Sequence, residues 1–95
     1  MTALVRAHIW VQGRVQGVGF RAHVESYAQQ YGITDWVRNV GYDIVEAIAE
    51  GGRANVERFI EMVKQGPNMS RVDESKVEWE GVTGEFREFG VRRSE

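Results

Sequence analysis

Residues 5–32, "VRAHIWVQGRVQGVGFRAHVESYAQQYG", change periodicity halfway along. Val5, Ala7, Ile9 and Val11 alternate with Arg6, His8, Trp10 and Gln12, which predicts a strand whose odd positions face a core. From Arg21 the spacing becomes helical: Val24, Tyr27, Ala28 and Tyr31 stand at i, i+3, i+4 and i+7, and Gly32 supplies the stop. The predicted helix therefore runs from Arg21 to Tyr31. Between the two patterns Gly13, Gly17 and Gly19 fall within seven residues. Glycines so placed indicate a backbone that takes positive φ or approaches something closely.

The rest of the chain completes one small sandwich. "ITDWVRNV" and "DIVEAIAE" read as two strands joined through Gly41 in a tight hairpin, with Val45, Ala47 and Ala49 alternating against Ile44, Glu46, Ile48 and Glu50. A second helix, Arg53 to Gln65, is striped by Val56, Phe59, Ile60 and Val63 and halted by Gly66-Pro67. "VDESKVEWEG" and "FREFGVRR" read as later strands; the unequal parity of Val72 and Val77 calls for a bulge in the first. The order βαββαβ with an extra C-terminal strand predicts a ferredoxin-like α/β two-layer sandwich, an antiparallel sheet with two helices on one face. A single domain is expected across residues 1–95, since 95 residues bury one core and not two.

This topology has a consequence for function. The first and second strands are joined through a helix and run in the same direction, while the third returns between them. The loop after strand one and the end of strand two then share one edge of the sheet. Arg21 and Asn39, eighteen residues apart, are expected to converge there.

Composition removes several kinds of chemistry. Twelve Lys and Arg are interspersed with fourteen Asp and Glu, a net charge of -2 with no basic run, which argues against a nucleic-acid surface. There is no cysteine, and the two histidines, His8 and His23, are far apart in sequence, so neither a thiol nucleophile nor a zinc cluster is expected. No stretch approaches the roughly 20 apolar residues of a membrane span, and no apolar leader opens the chain. The expectation is a cytoplasmic protein with no cofactor, no metal, no nucleic-acid partner and no membrane partner.

A glycine turn between strand and helix offers unpaired N–H groups to an anion. The loop contains no lysine, against a Walker A site. Gly17, Gly19 and Ala22 satisfy a dinucleotide fingerprint, but a hairpin follows the second strand where that fold needs another parallel unit. An RNA-binding sandwich would carry aromatics on its third strand, and "DIVEAIAE" has none. The remaining reading is one phosphoryl group held by the amides of Val15, Gln16, Gly17, Val18, Gly19 and Phe20 with Arg21. A cation in the first turn opposes the helix dipole, and a bound anion would turn that repulsion into two attractions. Pairing of Arg21 with Glu25 on an exposed face is the structural alternative, and residue chemistry alone leaves the two even.

"VQGRVQGVGFR" followed by "WVRN" resembles the acylphosphatases, small ferredoxin-like sandwiches that hydrolyse the carboxyl–phosphate bond. The likeness extends through "DWVRN", "VEAIAEG", the helix ending "QGP", "RVD" and the final "FGVR". It implies a metal-independent enzyme in which Arg21 binds the phosphoryl group, Asn39 positions the attacking water and the amides of Val15 to Phe20 form the cradle. Small-molecule acyl phosphates would be the substrates and inorganic phosphate or sulfate a product-like ligand, with a monomer expected. A non-catalytic phosphate or acyl-phosphate binding module, of the kind built into larger carbamoyl-transfer proteins, is the alternative. Two departures stand out: Asp35 where the family usually has glycine, and "GYD" in place of an Asp-Gly hairpin.

Other prominent side chains read as structural. His8 belongs to a solvated strand face with Arg6 and Trp10, and His23 to an exposed helix position. Trp36 and Trp79 are packing groups. Without the family likeness, Asn39 reads as a hairpin cap before Gly41. Arg14 and Arg38 are surface charges with the option of attracting an anion.

Overall fold

The structure is a computed structural model, and it describes residues 3–85 and 87–92. Strands β1 (Leu4–Arg14), β2 (Thr34–Val40), β3 (Ile44–Gly52), β4 (Arg71–Glu80) and β5 (Phe89–Val91) alternate with helices α1 (Phe20–Gln30) and α2 (Arg53–Gln65). The sheet order is β4-β1-β3-β2-β5. As the crossover rule requires, β3 lies between β1 and β2 and is antiparallel to both.

The alternation in β1 is realised: Ala7, Ile9 and Val11 are buried under the helices. They join Val24 and Ala28 of α1, and Val56, Phe59, Ile60 and Val63 of α2, in one cluster. Val15, just beyond β1, and Phe20, the first residue of α1, are buried in that same cluster. Both ends of the glycine loop are thereby pinned, so residues 16–19 span a short gap between fixed anchors.

The parity conflict in β4 is resolved by a bulge. Gln12 pairs with Glu74 and Gly13 with Val72, leaving Asp73 as the extra residue, so Val72 and Val77 both pack against the core. At the other edge the sheet departs from the antiparallel expectation. Strand β5 pairs parallel with β2, because the chain must cross from β4 at one edge to β2 at the other and re-enters in β2's direction. It is also shorter than "FREFGVRR", of which Phe86 and Arg93 lie outside the described residues.

The helix-free face differs most from a solvated surface. Glu46 and Glu50 of β3 and Asp35 of β2 are buried there or at its margin. Arg6 donates to Asp35, Glu50 and Glu80 at 3.0–3.2 Å; His8 bridges Glu46 and Glu80; Arg38 reaches Glu46 at 2.6 Å. Residues 81–85 lie over this network, where the amides of Thr83 and Gly84 donate to Glu50 at 2.8 and 3.3 Å. Burial opposes ionisation of Glu46 and Glu50, but the hydrogen bonds from His8 and Arg38 to the first, and from Thr83 and Arg6 to the second, outweigh it and hold both below the usual carboxylate range.

His8 is accordingly part of a polar cluster, stacked on Trp10 with ring centroids 3.6 Å apart, and not on a solvated face. Trp36 is buried against the guanidinium groups of Arg38 and Arg92. Trp79 is 46% exposed under Arg53, so it is a surface cation–π partner and not a packing group.

Candidate active site

The glycine loop needs its glycines for two different reasons. Gly17 and Gly19 adopt φ of 75° and 76°, and a Cβ at either would meet nothing within 4 Å, so the demand is on backbone conformation alone. Gly13 is structural: its φ is 141° and a Cβ there would overlap the carbonyl oxygen of Arg71 across the bulge.

Helix α1 begins on Gly19 with no capping side chain and no acidic residue in its first turn. Among the described residues no side chain caps its leading N–H groups, and the first turn carries the cation Arg21. A cleft of about 310 Å³ lies over this end, lined by loop residues Val15, Gln16, Gly17 and Gly19, by Phe20, Arg21, Ala22 and Glu25 of α1, and by Asn39 and Val91. Arg21 and Asn39 thus converge on one cavity, as the strand directions require. Val18 is not among its lining residues; its side chain packs toward the core.

Among the described residues Arg21 makes no ion pair, so the pairing with Glu25 is not formed although both line the cleft. No side-chain hydrogen bond of Asn39 is found among them either, so it does not cap the hairpin. That task falls to Gln16, whose Nε2 lies 3.3, 3.2 and 3.0 Å from the carbonyl oxygens of Val40, Gly41 and Ile44. One amide group ties the loop to the hairpin that carries Asn39. Sequence reasoning valued Gln16 only for its backbone amide, and nothing in the local pattern signals the side chain's reach across 24 to 28 residues.

The "GYD" turn is also anchored. Gln12 donates to the Asp43 carboxylate at 2.8 Å and Gly13 N–H to the Asp43 carbonyl at 3.0 Å, while Gly41 takes φ of 61° and Tyr42 projects into solvent. Arg38 points to Glu46 and Trp36 and is not among the cleft residues; neither is Arg14. His23 is half-buried against the edge of Tyr27, and burial lowers its pKa, a correction to its expected exposure.

A five-stranded sheet backed by two helices, with a cleft at its first strand–helix turn, defines a ferredoxin-like α/β sandwich. The crystal structure of an acylphosphatase from Bacillus subtilis shares the fold at a TM-score of 0.88 and 34% identity, over 93% of this chain and 98% of that one. An acylphosphatase of Roseiflexus sp. is 43% identical over 91 residues, 96% of this chain and 98% of the relative. A full-length HypF, crystallised with phosphate and nucleotide bound, matches 99% of this chain with 13% of its own, at TM-score 0.87 and 30% identity. The family model described as Acylphosphatase matches residues 7–91. The chain belongs to the acylphosphatase family. It is an enzyme that hydrolyses the carboxyl–phosphate bond of acyl phosphates to a carboxylate and inorganic phosphate.

Proposed function

We propose that hydrolysis takes place in the cleft between the glycine loop and β2, with Arg21 and the amides of Val15 to Phe20 holding the phosphoryl group and Asn39 orienting the water. The reading is supported above all by one observation: a guanidinium that makes no ion pair among the described residues stands in the first turn of α1 and shares a cavity with Asn39. Arginine's planar fork grips two phosphoryl oxygens, and the fixed N–H groups take the remaining charge. Each such donor is typically worth about 2.7 to 4 kcal/mol of transition-state stabilisation.

The reaction needs little else. The water oxygen bonds to phosphorus as the bond from phosphorus to the acyl oxygen breaks, and that electron pair leaves on the carboxylate. A carboxylate whose conjugate acid has a pKa of about 4 to 5 departs without protonation, so no general acid is required. The water's proton passes to a phosphoryl oxygen of the substrate itself. Asn39, with a carbonyl acceptor and an amide donor, holds the water without ionising. Positioning and electrostatics therefore carry the rate, with no step assigned to a metal. The same reading takes the chain as a single domain over residues 1–95 that works as a cytoplasmic monomer on small acyl phosphates.

Asn39→Ala separates the roles. Turnover of benzoyl phosphate, measured with EDTA present, should fall about a hundredfold or more, while inhibition by inorganic phosphate stays near the wild-type value. Equal losses in both would make Asn39 a binding group, and loss of wild-type activity on chelation would refute metal independence.

A further inference from the structure

The charge balance of the cleft bears on the acyl half of the substrate. Among the described residues its lining carries one cation, Arg21, and one anion, Glu25, set four residues apart on the same helix face. Side chains so spaced are within reach of each other, yet among the described residues neither Arg21 nor Glu25 makes an ion pair. A phosphoryl group held by the loop amides and Arg21 leaves its acyl arm among the other residues that line the same cleft. Those residues include Ala22, Glu25 and Val91.

Resting on the site proposed above, we infer that Glu25 is a specificity-determining residue. Its carboxylate sorts acyl phosphates by the charge of the acyl tail, admitting neutral or ammonium-bearing tails and disfavouring those with a second anionic group. Arg21 is committed to the phosphoryl oxygens and offers a tail carboxylate no compensation. Glu25 acts on the tail by its field alone and takes no part in bond making.

Butyryl and succinyl phosphate test this, because their tails match in length and differ in a terminal carboxylate; β-alanyl phosphate supplies the ammonium counterpart. Charges about 7 Å apart in a medium between the protein surface and water give roughly a three- to fiftyfold effect. In Glu25→Gln the ratio of kcat/KM for succinyl over butyryl phosphate should rise by that factor, and further in Glu25→Lys. The β-alanyl to butyryl ratio should fall in parallel, and both changes should shrink in 0.5 M salt as screening sets in. Ratios unmoved in both variants would overturn the assignment. So would a gain shared equally by all three substrates and by phosphate inhibition, which would put the field of Glu25 on the phosphoryl group instead. Arg21→Ala, assayed on butyryl phosphate, keeps the two readings apart: an inactive variant with unmoved Glu25 ratios sinks only the specificity assignment, whereas a fully active one removes the site and the inference together.

Discussion

Replacing Asp35 by asparagine should alter how stability depends on pH, and the structure gives both sign and size. Asp35 is 2% exposed, accepts from Arg6 at 3.2 Å and from Thr34 at 3.0 Å, and sits at φ of 104°, a region that side-chain-bearing residues rarely occupy. By register it opposes Ala49, a core residue, yet its carboxylate meets Arg6, whose partner across the sheet is Glu50. Burial pushes its pKa up to about 6; the hydrogen bond from Thr34 and the charge of Arg6 only partly offset burial and the neighbouring Glu50. An unfolded aspartate titrates near 3.9. Between those two values the folded chain keeps a proton that the unfolded chain has lost, so stability falls as pH rises through this window and levels off above it. Two pKa units correspond to about 3 kcal/mol.

In Asp35→Asn the side-chain amide would imitate the protonated carboxyl and remove the titration, with Arg6 still held by Glu50 and Glu80. Urea unfolding of both proteins at pH 4, 5, 6 and 7 measures the effect. The variant should match the wild type near pH 4 and exceed it by about 1 to 3 kcal/mol at pH 7. Glu46, Glu50 and Glu80, whose pKa values are lowered, add stability that is present above their unfolded pKa and lost as pH falls through their folded values, a window below that of Asp35. Parallel curves for the two proteins from pH 4 to 7 would refute the reasoning, because they would mean that Asp35 ionises in the folded chain as it does in the unfolded one.

Two further substitutions probe the frame of the site. Gly13→Ala puts a methyl group against the Arg71 carbonyl at a φ of 141°, and should cost at least about 2 kcal/mol in urea unfolding; an unchanged midpoint would contradict the close approach. Gln16→Ala removes the tie between loop and hairpin, and should lower turnover about tenfold while costing only about 1 kcal/mol of stability; turnover equal to wild type would show that the loop holds its shape without the hairpin.

Short-range periodicity carried most of the fold. The stripes of α1 and α2, the alternation of β1 and the parity conflict between Val72 and Val77 are all consequences of which neighbours share a face, and neighbours are visible in a sequence. So is the meeting of Arg21 and Asn39, because strand direction follows from connectivity. The buried acidic face was not legible. Glu46 and Glu50 alternate with core residues in the way solvent-facing groups do, and only the packing of distant Arg6, His8, Arg38 and the 81–85 segment takes them out of water. The side-chain role of Gln16 was hidden for the same reason. At Asp35 the departure from a glycine pattern was visible and its meaning was not: the position keeps a glycine-like φ, now occupied by a buried acid.

All of the proposed chemistry depends on the loop amides and Arg21 binding a phosphoryl group together. Titrating uniformly ¹⁵N-labelled protein with inorganic phosphate tests it most directly. The largest amide shifts are expected at residues 15–21, saturating with one affinity that drops in Arg21→Ala by about tenfold or more, as for a charge-assisted hydrogen bond. Shifts centred elsewhere on the sandwich, or equal affinity in the two proteins, would contradict it.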